Sequence, residues 1–368
     1  MHRYTAAVMP GPGQDIRLQE FPAPELEPGA VLLHTVFSEV CGTDVHLHHG
    51  RLKGVPYPII PGHVSVGRIA EARGPVTDIE GAPLRPGDLV TFLDVHETCN
   101  RCWYCLVAKE TTRCPSRRVY GITYSADEGL LGGWSQAIWI KPGVKLIRLP
   151  DSLPPEAFIG GGCGLVTSLH AVDLARIRLG ETVVVLGVGP VGQSAVALAA
   201  RSGAGQVIAI GDPEDRQDFA RRMGATTVAG LELPPADRAA QVRSRTHGRG
   251  ADVVIEASGA PEAVPQALDL VRDGGRVVVV GQYTDHGSVA INPHLQINRK
   301  HVELRGCWGS DYSHFHRAVA LAALWQDRIP WSDRAAARYP LERAGEALRD
   351  VELRKVVKAV IQVEDSRR

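Results

Sequence analysis

From about residue 181 the chain repeats one pattern, a short run of β-branched and apolar residues followed by a helical stretch. The runs are Thr182-Val183-Val184-Val185-Leu186, Gln206-Val207-Ile208-Ala209-Ile210, Asp252-Val253-Val254-Ile255 and Arg276-Val277-Val278-Val279-Val280. They lack the polar alternation of a strand with one wet face. They therefore predict parallel strands buried on both faces, with crossover helices in the intervals between them. This part reads as a doubly wound α/β domain. Residues 1–156 differ: they are rich in Gly and Pro and hold short alternating segments such as Val31-Leu32-Leu33-His34-Thr35-Val36 and Gly87-Asp88-Leu89-Val90-Thr91-Phe92. Such spacing predicts a β-rich, Greek-key-like domain with long loops. The prolines of Asp151-Ser152-Leu153-Pro154-Pro155-Glu156 mark a helix start at the boundary. After Gly306 the strand–helix rhythm is lost, and the chain closes on a strand-like Lys355-Val356-Val357-Lys358-Ala359-Val360-Ile361. The predicted division is thus 1–156, 157–306 and a segment 307–368 that returns to the first domain.

Composition adds exclusions. The 368 residues suit about two domains. Forty-one basic and forty-one acidic side chains cancel, so there is no electrostatic footprint for nucleic acid or an anionic membrane surface. The longest uncharged stretch, Thr182 to Ala200, is interrupted by Gly187, Gly189, Pro190, Gly192, Gln193 and Ser194, which argues against a membrane span. The opening MHRYTAAVMPGPG lacks the apolar core of a signal peptide, and a cytoplasmic protein is expected.

Four of the seven cysteines crowd into Cys99-Asn-Arg-Cys102-Trp-Tyr-Cys105 and Cys114, which is no secreted disulfide framework. Two consecutive C-x2-C steps aim three thiolates at a point, and the fourth can close a tetrahedron of sulfurs suited to structural zinc. Four unliganded cysteines and an iron–sulfur cluster are the alternatives. Further on, Leu186 runs into Gly187-Val188-Gly189-Pro190-Val191-Gly192 and a small-residue helix. In this strand-to-helix setting the first glycine permits the turn and the second lets the backbone approach a pyrophosphate. The third lets helix and strand lie close, and the helix N-terminus faces the phosphates.

Several segments, taken in order, resemble the zinc-dependent medium-chain dehydrogenases, the alcohol, sorbitol and threonine dehydrogenase family, over essentially the whole chain. Cys41-Gly42-Thr43-Asp44-Val45-His46 resembles the family's first zinc-ligand segment and Pro61-Gly62-His63-Val64-Ser65-Val66-Gly67 its second. Gly162-Cys163-Gly164-Leu165-Val166-Thr167 resembles the third, and the cysteine quartet resembles the structural zinc lobe, about 96–115, with one more residue than usual before Cys114. The resemblance implies a GroES-like catalytic domain joined to a Rossmann domain. It implies two zinc ions per chain, one held by Cys41, His63 and Cys163 with an open fourth position, the other by Cys99, Cys102, Cys105 and Cys114. It makes Thr43 the hydroxyl that passes the substrate proton, His46 the imidazole that hands it to solvent, Asp44 the carboxylate that orients the ligand histidine, and Thr167 a nicotinamide contact. The expected activity is hydride transfer between an alcohol, or its carbonyl product, and a nicotinamide cofactor, in a homodimer or homotetramer. The rivals are a zinc-independent quinone or enoyl reductase and a non-catalytic dinucleotide-binding relative. His48 and His49 match nothing and are expected at the surface, and Cys307 is expected to be an inert core thiol. Trp308, Asp311, Tyr312 and His314 are candidates for the substrate pocket wall.

Two positions depart from the family. Gly211 holds the place of the acid that binds the adenosine ribose, with Asp212 next to it and Arg216 at its usual distance. Asp212 would repel a 2′-phosphate and could reach the ribose, which favours NAD, with NADP the alternative. Val64 stands where the family's second ligand segment carries Glu. An apolar residue there predicts an altered field on the metal and a working but slow enzyme, which Val64→Glu would quicken if the surrounding shell has room for the acid.

Overall fold

The computed structural model describes residues 2–96 and 98–363. The chain divides into two compact units, Met1–Gly162 with Asp311–Gln326 and Trp331–Arg368, and Cys163–Ser310 with Asp327–Pro330. The division falls after Gly162 and not after Glu156. The helix Pro155–Ala175 begins in the first unit and is broken by non-helical dihedrals at Gly162, so its second half starts at Cys163.

The first unit is built on a seven-stranded sheet. The strand Val31–Val40 lies at its centre, antiparallel to Ser65–Ala72 on one side and to Ala359–Gln362 on the other. The alternation read in the sequence serves a strand that is buried almost throughout, with Val31, Leu33, Val36, Phe37 and Val40 in the core. The chain's last described strand thus belongs to the first unit's sheet, and Ala337–Tyr339 pairs beside it. Leu84, Phe92, Tyr120, Tyr124 and Ile138 fill one core of this unit.

The second unit is a parallel sheet of six strands in the order Thr227–Ala229, Gln206–Ile210, Thr182–Leu186, Ala251–Glu256, Val271–Val279 and Glu303–Gly306. Every adjacent pair is parallel. The order reverses beside Thr182–Leu186, the first strand in sequence, and ligands of open α/β sheets bind at such switch points. Val183, Val184 and Val185 are fully buried, as the unbroken apolar run requires. The uncharged stretch 182–200 is therefore a core strand and the helix Pro190–Arg201. Among the described residues one helix, Pro155–Ala175, passes a membrane-span test of length and composition, but 72% of its apolar window is buried inside the protein, as in a core helix.

Candidate metal centre and dinucleotide motif

Cys41 follows directly on the strand Val31–Val40 and caps the helix Gly42–His48. Its Sγ accepts from Thr43 N at 3.3 Å, and its own N–H donates to Asp44 Oδ2 at 2.8 Å. Asp44 thus closes a capping box around the cysteine and fixes its orientation. His63 arrives from the neighbouring strand. The ladder that pairs Ser38 with Ser65 continues through Glu39 N–H donating to Val64 O at 3.0 Å, which brings the ends of the two segments together. Gly62 makes the turn at φ +89°, where a Cβ would strike Ser38 Oγ and Trp134 Cδ1, so only glycine fits. Cys163 opens the second half of the kinked helix.

The ligand atoms of Cys41, His63 and Cys163 lie within 4.8 Å of one another. Cys41 Sγ and His63 Nε2 are 3.9 Å apart, long for a hydrogen bond. That spacing is close to the ~3.6 Å edge of a tetrahedron with metal–sulfur and metal–nitrogen bonds of normal zinc length. Two thiolates and one imidazole suit zinc and leave a fourth position for a substrate oxygen. Burial pulls the His63 imidazolium pKa down, but the charge and hydrogen bond of the Cys41 thiolate, then Asp44 and Asp94, outweigh it and raise it to about 10. Positive charge is therefore favoured at this spot, and a metal ion would supply it. Burial and the Cys41 thiolate push the Asp44 carboxyl well above its ordinary range. His63 Nδ1 and Asp44 Oδ1 are both buried without a hydrogen-bond partner, and each feels the other's charge.

Thr43 and His46, three residues apart on the capped helix, share a face, and both are half-buried. Thr167 lies one helical turn beyond Cys163. The next residue, Ser168, donates to Val191 O at 2.7 Å, which ties this helix to the start of the glycine-led one. His48 and His49 are not bare surface. His48 is half-buried with Nε2 3.2 Å from Gln14 O, and exposed His49 pairs with Glu352 Oε1 at 2.6 Å. The two histidines meet because the capped helix packs against Ala344–Glu352, and ligand atoms of His48, His49 and Glu352 also lie within 4.8 Å.

The four thiols of Cys99, Cys102, Cys105 and Cys114 converge within 4.8 Å. Cys114 Sγ accepts from Cys99 N at 3.3 Å, and the thiols of Cys102 and Cys105 are 3.6 Å apart. Cys99 is lowered to about 6, first by the backbone N–H of Arg101 and then by its neighbours, while burial and the Cys102 thiol push Cys105 up to about 12.

In the glycine motif an added Cβ separates two roles. At Gly187 it would meet the backbone of Ala257 and Ser258 at 2.8 Å, and at Gly192 it would meet Gly187 O at 1.9 Å. At Gly189 it would meet nothing within 4 Å. Gly187 and Gly192 are therefore required by the fold itself, and Gly189 faces open space that a pyrophosphate can enter. Pro190 is the first residue of the helix and Val191 the next. A Cβ at Gly211 would press on a Val188 methyl at 2.9 Å, so a side chain there would require Val188 to give way. Exposed Asp212 accepts from Gln217 Nε2 and from Leu231 N, both at 3.1 Å, and half-buried Arg216 stands in the first turn of the helix Glu214–Met223.

Cys307 is buried and its thiol is pushed up to about 12, as an inert core thiol requires. Asp311 and His314 cap the helix Tyr312–Leu324 reciprocally, and Trp308 stacks on Tyr283 with ring centroids 5.7 Å apart. Sequence reasoning missed Glu39 and Lys358, which form a fully buried ion pair at 2.7 Å. The available signal was a lone acid in Ser38-Glu39-Val40 and a lone base in Val357-Lys358-Ala359, each within an apolar strand.

Residues 27–151 match the family described as "Alcohol dehydrogenase GroES-like domain", and residues 190–323 match "Zinc-binding dehydrogenase". The chain is 36% identical to the 5-exo-hydroxycamphor dehydrogenase of Pseudomonas putida over 93% of this chain and 94% of that protein. It is 32% identical to the L-threonine 3-dehydrogenase of Pyrococcus horikoshii over 81% of each. An alcohol dehydrogenase of Thermotoga maritima superposes with a TM-score of 0.94 at 32% identity, covering 99% of this chain and all of that one. A zinc-binding dehydrogenase of Sinorhizobium meliloti, solved bound to NADP, gives 0.86 at 27% identity over 98% of this chain and 100% of that one.

Proposed function

The chain belongs to the zinc-dependent medium-chain dehydrogenases and is an alcohol oxidoreductase that uses a nicotinamide cofactor, and from that premise we propose the roles of its residues, its cofactor and its substrate class. The observation that carries this reading is the convergence of Cys41, His63 and Cys163 within 4.8 Å. These three residues would hold a zinc ion, which would supply Lewis-acid polarisation to a substrate oxygen, and a bound nicotinamide would supply the hydride acceptor. The Thr43 hydroxyl receives the substrate's hydroxyl proton, and the His46 imidazole on the same helical face passes it to solvent. Asp44 keeps Cys41 in place by accepting from its backbone N–H, and its charge acts on His63. Thr167 contacts the nicotinamide, while Gly189, Pro190, Val191 and the N-terminus of their helix take the pyrophosphate.

A second zinc sits in the closed four-sulfur lobe of Cys99, Cys102, Cys105 and Cys114 and is structural. NAD is preferred over NADP, because the Asp212 carboxylate lies beside the strand end where a 2′-phosphate would come. The substrate is a secondary alcohol oxidised to a ketone. The hydroxyls in the names of the two relatives, on 5-exo-hydroxycamphor and at position 3 of L-threonine, both stand on secondary carbons. The working unit is a homodimer or homotetramer, which light scattering measures.

One experiment tests the core of this reading. Protein of measured zinc content is offered bicyclic and acyclic secondary alcohols, primary alcohols and the matching carbonyls, with NAD(H) and NADP(H) in separate arms, and absorbance of the reduced cofactor is followed. Turnover of secondary alcohols with NAD and two zinc equivalents is expected. Wild type that turns over none of them, or that loses no metal in Cys163→Ser, would sink it.

A further inference from the structure

Glu39 lies in the strand Val31–Val40, while Val64 and Lys358 stand immediately before the two strands that flank it, Ser65–Ala72 and Ala359–Gln362. Glu39 stands opposite Val64 across the ladder and opposite Val360 on its other side. Directly opposite residues share a face, and Lys358, two residues before Val360, joins them through its ion pair with Glu39. Position 64, where the second ligand segment was expected to carry an acid, is buried valine, and the neighbouring place holds a buried glutamate instead.

That glutamate lies against the metal-ligand segments. The Glu39–Lys358 pair is fully buried at 2.7 Å, and Lys358 Nζ also donates to Ile159 O at 3.0 Å and, more weakly, to Gly161 O at 3.4 Å. These carbonyls lie in the last turn of the first half of the kinked helix, just before the break at Gly162. A cation there also suits the negative end of the helix. A Cβ at Gly162, whose φ is +48°, would collide with Glu39 Oε2 and Lys358 Nζ, so the pair fills the inside of the bend immediately before Cys163. On its other side Glu39 is two residues from Cys41, its carbonyl accepts from Trp134 Nε1 at 3.1 Å, and its charge reaches Asp44.

We propose that Glu39 and Lys358 are a positioning pair for the metal centre, bracing the strand that ends in Cys41 against the bend that presents Cys163 and placing beside the donors the carboxylate that Val64 lacks. The pair touches neither substrate nor cofactor. It acts through the two cysteines, and it accounts for the apolar residue at 64: the sheet accommodates one acid opposite one lysine, and here the acid comes from the neighbouring strand. On this reading the shell has no room for a further acid at position 64, so Val64→Glu alone is expected not to quicken the enzyme. That substitution would set a second buried carboxylate against a single cation.

The inference rests on the three-donor zinc centre, so its test reads the metal apart from activity. Zinc release to a chromogenic chelator is timed in wild type, Glu39→Gln, the uncharged double variant Glu39→Gln/Lys358→Met and the relocated pair Glu39→Gln/Val64→Glu. Cys163→Ser marks which equivalent belongs to this centre, and thermal melts fix the folded fraction. Each protein is also loaded with cobalt(II), whose d–d bands report the donor geometry. Release from this centre should be about tenfold faster or more in Glu39→Gln and in the double variant, with shifted cobalt bands. The relocated pair should move back towards wild type in both readouts. The double variant keeps the test alive if Glu39→Gln fails to fold. Folded variants with wild-type release rates and wild-type cobalt bands would overturn the proposal, as would a relocated pair no better than Glu39→Gln. If Cys163→Ser loses no metal in the first place, it is the donor set that fails, and that outcome is read before any pair variant is compared.

Discussion

The two cysteine-bearing sites each bring their ligand atoms within 4.8 Å of one another, yet they are built in opposite ways. The lobe of Cys99, Cys102, Cys105 and Cys114 draws all its donors from one short stretch, and its internal contacts are thiol to thiol or thiol to backbone. The centre of Cys41, His63 and Cys163 takes its donors from a strand end, a glycine turn and a helix bend, with Asp44 and the buried Glu39–Lys358 pair close by. A shell of four sulfurs is complete and can only hold the chain together. Three donors with ionisable neighbours leave a place for a reacting oxygen. Proximity of donors shows where a metal could fit, while on the proposed reading the number of donors and the polar groups behind them set what it would do.

The largest contrast comes from removing one sulfur from each site. Cys41→Ala should release one zinc equivalent and lower turnover by at least about 10³-fold, the several kcal/mol that a Lewis acid contributes to a transition state, with the fold kept. Cys102→Ser should lower the melting temperature by about 5 °C or more, while the molecules that stay folded keep turnover within about tenfold of wild type. Elemental analysis, thermal melts and kinetics on the same samples measure this. Equal loss of stability and activity in both variants would erase the distinction.

Next in size is the buried pair, which belongs to the assembled site alone. Lys358→Met leaves a carboxylate buried and uncompensated and should cost about 3–5 kcal/mol, whereas Glu39→Gln/Lys358→Met, with no charge to strand, should recover most of that. Denaturant melts of the two variants give the difference. A double variant as unstable as the single one would mean that Lys358 contributes through its bonds to Ile159 and Gly161 rather than through Glu39.

The same division sets what could be read in the sequence. Motifs whose partners are neighbours along the chain were legible: the expected strands at 182–186 and 206–210 are the observed ones, and the helix after the fingerprint runs Pro190–Arg201. The strand expected from Arg276 begins earlier, at Val271, because a register shift between Ala251 and Val253 lets extra residues join the ladder. The centre's three donors were legible only through resemblance, since nothing local ties Cys41 to His63 or Cys163. Glu39 and Lys358 were not legible at all. Each looks like a stray charge in an apolar strand, and only the pairing of the chain's last described strand with Val31–Val40 gives each its partner.

The dinucleotide motif is the other locally encoded site, and it can be divided by two alanines. Gly192→Ala forces a Cβ to 1.9 Å from Gly187 O, a backbone atom that cannot swing away, and should cost about 1–3 kcal/mol. Gly189→Ala meets nothing and should leave stability within about 0.5 kcal/mol while weakening binding of the cofactor, measured by fluorescence titration. A Gly189→Ala protein that binds NAD(H) as wild type does would show that the open space above this residue is not where the pyrophosphate lies.

The smallest effect asks whether this motif reaches beyond its glycines to the end of the next strand. Gly211 carries no side chain and a Cβ there would press on a Val188 methyl, so the proposed selecting group is the residue after it. Asp212 is held there by Gln217 and by the backbone of Leu231, which orients the carboxylate without neutralising it. A 2′-phosphate would meet that charge across solvent, where screening keeps the repulsion small. Asp212→Ala should therefore move the ratio of kcat/KM values for NAD and NADP towards NADP by no more than about tenfold, or 1.4 kcal/mol, with stability nearly unchanged. A wild type that already prefers NADP, with a ratio indifferent to Asp212→Ala, would shift the selection to the space at Gly211 and to Arg216. The acid beside the strand end would then belong to the loop that holds it and not to the cofactor site.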